Sequence, residues 1–585
     1  MAAKRRGSWT VTTLNGVVAF TVLILVAVLA LVVKPPAPPG IAAFAPQANK
    51  PITKAPHSQS ALFGSGAGQC GAGQVCTGPR ATPKASPGAV TRASASPPAL
   101  TGPLPPGLQC YQWPDGSITQ TSDPQSPPCI SRWDDSHGNG GATAQGVTGN
   151  LINVALPVTS SGSSWPALKP LVDFFNTRYQ FYGRQIKVYP VHSQQSDQTT
   201  QGPWNDPTAQ RADASAIAAG KPFAAFDFLD PTSESGALPE YLNGLTKAHV
   251  VSVSGGAVTP LETVATMQKQ APYAWSYYPT TDQLMRQVAT VVCRQLVGKP
   301  AVHAPEADLQ TKTRKFAFFL PTDADLGGSM PGLSDALKIL DGCGVHNPTV
   351  IRQTIGGAKN ANEVANTRVE MTNLKNSGVT SVIFLPFGGN GSPGSPLEVA
   401  QGASYEPEWV LVANYFYNAA FMLNDPSGET SGAFGVGAWN KFPDLALEPW
   451  SQAFAAEGAD SATRMLVAAR TFYQELGLLA AGIQMAGPNL TPQTFAAALH
   501  GTTFPNPGAG ASPFYQGTVG FPGSSPIMID DYAEIWLDTS MSGQSVQSSP
   551  ASNEKQAFCE VALGRRWNED TWPTTDGFYQ PGVCR

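Results

Sequence analysis

The chain has 585 residues, enough for about two to four domains, and its acidic residues exceed the basic ones by only five. This balance provides no broad basic face, so nucleic acid is not expected as a partner. Charged residues make up 13% and apolar residues 42% of the chain, which excludes full disorder and allows a large core. The 58 Gly and 53 Pro must therefore be concentrated in a tail or in many loops.

An apolar run over residues 17–33 follows three basic residues at positions 4 to 6. We predict an uncut signal anchor that crosses the lipid bilayer once, with residues 1–16 in the cytoplasm and the bulk of the chain on the extracytoplasmic side of the cell membrane. Prolines crowd the zone 35–39, where a signal peptidase would cut. The alternatives are a cleaved signal, which would make the protein secreted, and a buried core helix.

The next segment, residues 34–108, holds 15 Pro in 75 residues and has no apolar periodicity. Such a composition cannot bury enough surface to form a core, so we predict a disordered, partly polyproline tether. Residues 109–146 contain Cys110 and Cys129 together with Trp113 and Trp133, and are predicted to form a small disulfide collar.

Eight cysteines, an even number, favour disulfides in an exported chain, with buried free thiols as the alternative. No CxxC pair and no His at zinc spacing occur, so we predict neither a metal site nor a cofactor. We expect bridges between sequence neighbours: Cys70–Cys76, Cys110–Cys129, Cys293–Cys343 and Cys559–Cys584.

Short apolar strands alternate with amphipathic helices between residues 147 and 545. Strands are predicted at 151–156, 185–191, 224–229, 250–253, 315–320, 349–354, 381–387, 409–413 and 532–537. Helices are predicted at 165–179, 208–219, 283–297, 332–340, 362–376, 463–485 and 492–500. This alternation is typical of parallel sheets with helices on both faces, and the number of strands favours two lobes.

The lobe boundaries follow from the same pattern. We predict that lobe 1 comprises about 150–282 and 413–504, and that lobe 2 comprises about 283–412 and 505–545. Residues 546–585 are left as a C-terminal extension. The Pro-Gly-Ser-rich insert 388–404 is predicted to be a surface loop.

Sequence motifs of catalysis are absent. The chain has no phosphate-binding loop, no GxGxxG after a strand, no HExxH and no nucleophile elbow in its folded part, so we do not predict an enzyme. Asp323 and Asp325 could hold a metal or share proton transfer, but capping of a helix is the favoured interpretation. His192 is interpreted as an edge residue of a strand. An enzyme with an unrecognised site is the alternative.

Several segments resemble, in order and spacing, one known family. They are the strand, serine-rich loop and helix over 152–179, the strand at 183–188, the turn at 228–236, the strand and turn at 249–256, the strand and acidic turn at 315–327, and the helices over 463–503. Together they are similar to type I periplasmic solute-binding proteins of the branched-chain amino-acid-binding group. The resemblance implies an α/β fold of two Rossmann-like lobes, joined by a hinge of three crossovers, that clamp a ligand by closure.

The resemblance also implies where a ligand would bind. Relatives that bind free amino acids carry an Ala and a Thr after the fourth strand and a Tyr in the second lobe, where this chain has Ser254, Gly256 and Leu326. Hydroxyls and backbone N–H groups of strand-end loops are expected to hold a polar head group, and aromatic rings to form apolar walls or belong to the core. The predicted ligand-binding residues are Ser161, Gly162, Trp165, Asp230, Thr232, Ser233, Ser254, Gly255, Gly256, Tyr278, Asp323, Phe387 and Tyr415.

The predicted function combines these features. We expect a membrane-tethered extracytoplasmic solute-binding protein that captures an amino acid, an amide or another small polar molecule for the permease of an ABC-type importer. The alternative is a ligand-sensing ectodomain that signals through a membrane partner.

Overall fold

Cys110 is the first residue that the computed structural model of the chain describes. The described residues are 110–131, 133–158, 165–194, 206–226, 239–254, 262–323, 328–353, 361–385, 395–413, 427–438, 448–460, 463, 468–508, 517–529, 531–539, 557–560 and 565–579. The predicted anchor at 17–33, the tether at 34–108 and the pair Cys70–Cys76 lie outside this part of the chain. No helix within the described ranges is both long and apolar enough to cross a membrane.

The first described segment is residues 110–131. We use the name collar for these residues, which form part of the collar predicted at 109–146. Its short strands β1 (Tyr111–Gln112) and β2 (Ile118–Thr119) pair antiparallel. The predicted disulfide Cys110–Cys129 is confirmed, with the Cα atoms 5.7 Å apart. Trp113 is buried and donates through its indole Nε1 to Thr119 Oγ1 at 2.9 Å.

The first lobe is built on a parallel sheet with the order β4-β3-β5-β6-β7 in its described residues. Its strands are β3 (Leu151–Val158), β4 (Gln185–His192), β5 (Ala224–Phe226), β6 (Val251–Ser254) and β7 (Ala274–Ser276). The helices between them are α1 (Trp165–Arg178), α2 (Pro207–Ala219), α3 (Pro239–Lys247) and α4 (Val264–Lys269). Strand β5 is buried along its whole length, as expected for a strand covered by helices on both faces.

The second lobe repeats this topology. Its parallel strands are β8 (Phe316–Pro321), β9 (Thr349–Gln353), β10 (Ser381–Phe384), β11 (Glu408–Ala413) and β12 (Ala433–Gly437), followed in the same sheet by β13 (Ala533–Asp538) and β14 (Ala557–Glu560). The order β9-β8-β10-β11-β12 matches that of the first sheet, and β13 and β14 then add antiparallel at one edge. The helices are α5 (Thr281–Val291), α6 (Ala307–Gln310), α7 (Leu333–Gly342), α8 (Ala361–Asn376), α9 (Pro396–Gly402) and α10 (Ser427–Thr430).

Helix α5 starts the second lobe with a capping box. The Gln283 side chain accepts a hydrogen bond from the Thr280 backbone N–H at 2.9 Å, which satisfies an amide that the helix itself leaves unpaired. The helix continues as a π-helical segment, Val292–Leu296, which carries Cys293. The predicted disulfide Cys293–Cys343 is confirmed and ties this segment to the end of α7. Cys559 is also disulfide-bonded, but residue 584 lies outside the described ranges, so the pair Cys559–Cys584 stays a prediction.

Three further helices return to the first lobe. They are α11 (Pro449–Ala456), α12 (Ala468–Ala486) and α13 (Pro492–Gly501). Phe472 and Leu476 of α12 pack in one apolar core with Phe175 of α1 and Val253 of β6. The residues 517–529 also join the first lobe, since Ser276 N donates to Pro526 O at 2.9 Å and Met528 N donates to Ser276 O at 2.9 Å.

The chain crosses between the lobes at three places within the described residues, as the resemblance implied. Crossover 1 is residues 277–280, crossover 2 leaves β12 at Ala438, and crossover 3 includes Ile529, Asp531 and Tyr532. The predicted lobe boundaries at 413 and 505 are wrong, because β12 pairs with β11 in the second sheet and 517–529 pairs with β7 in the first. Strand β12, AFGVG, has too little apolar pattern to be recognised from sequence.

The insert 388–404 also differs from the expected surface loop. Ser395 Oγ accepts from Glu398 N at 3.0 Å and caps α9, whose residues Pro396, Leu397, Val399 and Ala400 are buried. The described second half of the insert is therefore a helix that belongs to the core of lobe 2.

Candidate functional site

The strand order locates a crevice in each lobe. In both sheets the first strand lies between the second and the third, so the chain leaves the first and the third strand of each sheet in opposite directions. Ligands of such doubly wound sheets bind outside the carboxyl ends of the strands at this switch point. Crossover 1 starts at the carboxyl end of β7 and crossover 2 at that of β12, so the hinge joins the carboxyl edges of the two sheets. The space between these edges is the candidate site.

An aromatic patch lies at the switch point of lobe 1. Trp165, the first residue of α1, is partly buried, and its ring lies 6.2 Å from Phe472 in an edge-to-face arrangement. Phe472 in turn lies 5.1 Å from the ring of Phe226, the last residue of β5. The predicted site residue Trp165 is thus placed where the chain order puts the crevice. Phe472 and Phe226 are fully buried, so Trp165 is the ring of this group that is partly exposed to a ligand.

Ser254 is the last residue of β6, at the same edge of the sheet. It is 1% exposed, and its Oγ has no hydrogen-bond partner among the described residues. Its neighbour in the register, Ser276, is equally buried, but Ser276 Oγ donates to Tyr278 O at 2.8 Å. Buried hydroxyls are normally hydrogen-bonded, since burying one unpaired costs free energy. Ser254 Oγ is therefore a free hydrogen-bonding group at the predicted ligand edge.

Two further predicted site residues have defined positions. The Tyr278 side chain is fully buried in the core of lobe 1, with its ring 4.8 Å from that of Tyr277. Asp323 follows β8 at the carboxyl edge of lobe 2 and is 60% exposed, with its Oδ1 3.2 Å from Arg352 Nη1. The remaining predicted residues lie outside the described ranges and stay predictions: Ser161, Gly162, Asp230, Thr232, Ser233, Gly255, Gly256, Phe387 and Tyr415.

Glu262 is a residue that sequence reasoning did not single out. It stands just before α4, on the segment that connects the carboxyl end of β6 to that helix. Burial raises the pKa of Glu262 to about 7, and the charge on Glu240 adds to the shift. Its Oε1 has no hydrogen-bond partner among the described residues. An isolated acidic residue between two apolar stretches gives no motif by which its burial could be foreseen.

Helix α12 carries a buried polar cluster on the collar side of lobe 1. Arg470 Nη1 lies 3.8 Å from Glu448 Oε1, and both side chains are 2% exposed. Burial raises the pKa of Asp123 in the collar, against hydrogen bonds from Gln125 N and the Tyr473 hydroxyl and the charge on Arg470. The cluster joins the collar to lobe 1 and was not foreseen, because the chain separates Asp123 from α12 by more than half its length.

The second lobe holds a His–Asp pair at its amino edge. His303 Nε2 lies 2.8 Å from Asp576 Oδ2, and His303 N donates to Oε1 of Glu408, the first residue of β11, at 3.1 Å. The imidazole packs against Phe434 and Tyr579, whose ring centroids lie 5.1 and 4.9 Å away. The pair thus lies at the opposite end of the strands from the crevice and attaches the C-terminal residues to the lobe. No His, Cys, Asp or Glu group in the described ranges could hold a metal ion.

Comparison with known proteins gives matches among solved structures alone. No family model matches the chain, and no curated protein sequence matches it. A solute-binding protein of an ABC transporter from R. palustris, in complex with 4-hydroxybenzoate, is 15% identical and has a TM-score of 0.45, covering 72% of this chain and 97% of its own. The branched-chain amino acid transporter substrate-binding protein from Streptococcus pneumoniae, in complex with isoleucine, is 12% identical with a TM-score of 0.43, covering 70% and 100%.

A third structure is the leucine-, isoleucine-, valine-, threonine- and alanine-binding protein from Brucella ovis in its closed conformation. It is 10% identical with a TM-score of 0.48 and covers 73% of this chain and 98% of its own. These neighbours are type I periplasmic binding proteins, the group that the sequence motifs resemble. Because each of these TM-scores is below 0.5, our assignment of two doubly wound lobes is based on the strand order of this chain.

Proposed function

We propose that the chain is a membrane-tethered extracytoplasmic solute-binding protein that captures a small polar molecule with an apolar or aromatic part between its two lobes. The molecule would pass to the permease of an ABC-type importer. The mechanism is reversible capture without covalent chemistry. The observation that carries the proposal is that the partly exposed Trp165 ring, which packs on the buried Phe472, lies at the same carboxyl edge as the unpaired Ser254 hydroxyl.

The aromatic ring and the hydroxyl would contribute to ligand binding in different ways. The Trp165 ring would bury apolar ligand surface, and such burial supplies most of the affinity of a small-molecule site, at about 25 cal/mol per Å². The hydroxyl fixes orientation, because a ligand group that bonds to Ser254 Oγ relieves a buried group of its missing partner. Closure of the lobes about the three crossovers would remove the ligand from water.

The first experiment identifies the ligand. The full chain is purified in mild detergent and analysed by native mass spectrometry for small molecules that co-purify, with a panel of branched-chain amino acids, aromatic carboxylates and amides as added probes. A compound that binds with one-to-one stoichiometry supports capture. Turnover of a probe, or absence of binding across the co-purified fraction and the panel, would contradict it.

The second experiment locates the site with two matched tryptophan variants. Trp133 and Trp165 are both partly buried and each contacts one aromatic ring edge to face, but Trp133 packs on Tyr182 ahead of β4, at the amino edge of the sheet. Trp165→Ala should weaken binding of the identified compound roughly tenfold or more, and Trp133→Ala should not. Equal losses in both variants would place the ligand elsewhere. Chemical cross-linking in the membrane then separates a permease partner from a signalling partner.

A further inference from the structure

Both terminal extensions of the chain reach the hinge. We call residues 565–579 the strap, and Arg566 is its contact with the crossovers. The Arg566 guanidinium is 4% exposed. Its Nη2 donates to Ala438 O at 2.6 Å and to Asp531 O at 2.7 Å, and its Nε donates to Asp531 Oδ1 at 3.0 Å. Because Ala438 starts crossover 2 and Asp531 lies in crossover 3, one rigid, charged fork holds two crossovers together.

The strap is anchored to lobe 2. Arg294 Nη1, in the π-helical segment after α5, donates to Trp572 O at 2.8 Å, and Trp572 Nε1 donates to Gln287 Oε1 at 2.6 Å. Arg286 pairs with Glu569 at 2.8 Å. The strap must therefore move with α5 as part of the second lobe, and Arg566 moves with it.

The collar is anchored to lobe 1 and reaches crossover 1. Gln120 Nε2 donates to Arg178 O at 2.8 Å, and Ser126 Oγ lies 2.9 Å from the Tyr179 hydroxyl. Gln125 Oε1 accepts a hydrogen bond from the hydroxyl of Tyr277, the first residue of crossover 1.

Tyr277 connects the collar to crossover 3. Its carbonyl accepts from Ile529 N at 3.1 Å, which joins crossover 1 to crossover 3. Its buried phenol donates to Gln125 Oε1 of the collar. A change in the position of the collar therefore acts directly on the residue that starts crossover 1.

The chain leaves no spare room at this point. A Cβ on Gly517, whose φ is +127°, would lie 2.5 Å from Asp531 Oδ1 and 2.8 Å from Arg566 Nη2. Since real Cβ atoms do not approach other atoms so closely, the glycine allows the guanidinium to sit against the chain. A Gly517→Ala substitution therefore provides a second way to displace the Arg566 guanidinium, without removing it.

We propose that the collar and the strap brace the hinge, with Gln125 and Arg566 as the contacts that set the resting angle between the lobes. The collar directly follows the segment predicted to be the membrane tether. A displacement of that tether would therefore act on the hinge through the collar. The inference rests on the proposed function only for its consequence, namely that the resting angle sets ligand affinity. The brace itself is tested without ligand.

The test compares Arg566→Met and Arg566→Lys with Arg294→Met in the full chain. Arg294 anchors the strap to lobe 2 through Trp572 O and not through a crossover residue, so it is the matched control. Hydrogen–deuterium exchange of residues 276–281 and 527–533 should become faster by about tenfold or more in both Arg566 variants, the effect of losing one charge-assisted hydrogen bond. Arg294→Met should accelerate exchange in the strap and leave the crossovers as in the wild type.

The angle between the lobes is measured by electron–electron resonance between non-cysteine spin labels at the exposed positions 169 and 369, in α1 and α8. We expect a broadened or shifted distance distribution for Arg566→Lys and for Gly517→Ala, and the wild-type distribution for Arg294→Met. If Arg566→Met does not fold, the other two hinge variants decide. Wild-type distances in both, or a uniform rise of exchange over the whole chain, would overturn the brace.

Discussion

Two serines at one register position differ in their hydrogen bonding, so their variants test the proposed binding role of Ser254 against a structural one. Ser254 and Ser276 are both buried on neighbouring strands, yet only Ser276 Oγ makes a hydrogen bond, to Tyr278 O. Ser276→Ala should lower the free energy of unfolding by about 1 kcal/mol, since it removes that bond and leaves an acceptor unpaired. Ser254→Ala should leave the free energy of unfolding unchanged or raise it, because no bond is lost. Urea denaturation measures both.

The two serine variants should show the opposite order in ligand affinity. With the ligand identified by mass spectrometry, Ser254→Ala should weaken binding by roughly 0.5–1.5 kcal/mol in calorimetric titration. Ser276→Ala should bind as tightly as the wild type as long as it is folded. A Ser254→Ala variant that is less stable but binds normally would show that its hydroxyl has a structural partner.

Glu262 makes the stability of the protein depend on pH near neutrality. Burial raises its pKa from 4.5 to about 7, so the folded chain keeps a proton that the unfolded chain has already released. The free energy of unfolding should therefore fall as the pH rises from 4.5 to 7 and then level off. The contribution is on the order of 3 kcal/mol.

Glu262→Gln should remove this part of the slope, because the amide does not ionise. The measurement is urea denaturation at pH 4.5 and at pH 8 for both proteins. Glu534, whose pKa burial also raises to about 7, contributes in the same window, so a residual slope is expected in the variant. Equal slopes in wild type and variant would mean that the Glu262 carboxyl is solvated.

At the scale of single elements, helix α12 contains two glycines with opposite expected effects. A Cβ at Gly477 would have Phe175 as its nearest neighbour at 3.8 Å, an ordinary contact, whereas one at Gly482 would lie 2.1 Å from the Phe495 ring of α13. Gly477→Ala should therefore stabilise the protein by up to about 1 kcal/mol through helix propensity. Gly482→Ala should destabilise it, because α13 must move away.

The two variants share one helix and one substitution, so the comparison isolates packing from propensity. Thermal unfolding should show a higher midpoint for Gly477→Ala and a lower one for Gly482→Ala. A gain in both would indicate that the Phe495 ring turns aside at little cost.

The sequence predicted individual elements well where their apolar pattern was strong. The strand at 315–320 and the helix at 492–500 agree with β8 and α13 to within one residue at each end. Strands β7 and β12 were missed because they have three and five residues, and their parallel neighbours supply hydrogen bonds that local pattern does not reveal. The predicted lobe boundary at residue 413 was wrong because β12, which follows it, was not recognised as a strand.

The candidate site was predictable in part. Position after a strand was enough to select Trp165 and Ser254, since the edge of a parallel sheet follows from the βα alternation. The burial of Glu262 and the contacts of Asp123 and Arg566 depend on residues far apart in the chain, which no local pattern connects. The hinge in particular brings together residues 125, 277, 438, 531 and 566.

For the molecule as a whole, the structure packs the collar, which was predicted as a small unit of its own ahead of residue 147, against lobe 1. Trp113 is 2% exposed, and Asp123 and Gln125 contact Tyr473 and Tyr277 inside lobe 1. Removing the collar would expose apolar surface and leave both tyrosines without these partners. The collar is therefore expected to contribute to the free energy of unfolding of lobe 1.

A pair of truncations tests this expectation. The chain 110–585 should unfold at the wild-type urea midpoint, because residues 34–108 are predicted to be a tether without a core. The chain 147–585 should lose at least about 3 kcal/mol of unfolding free energy, comparable with the loss of one buried tryptophan. Limited proteolysis of the full chain should accordingly give a stable fragment that begins near residue 110. A fragment that begins near residue 147, or equal stability of the two truncations, would mean that the collar docks too weakly to brace the hinge.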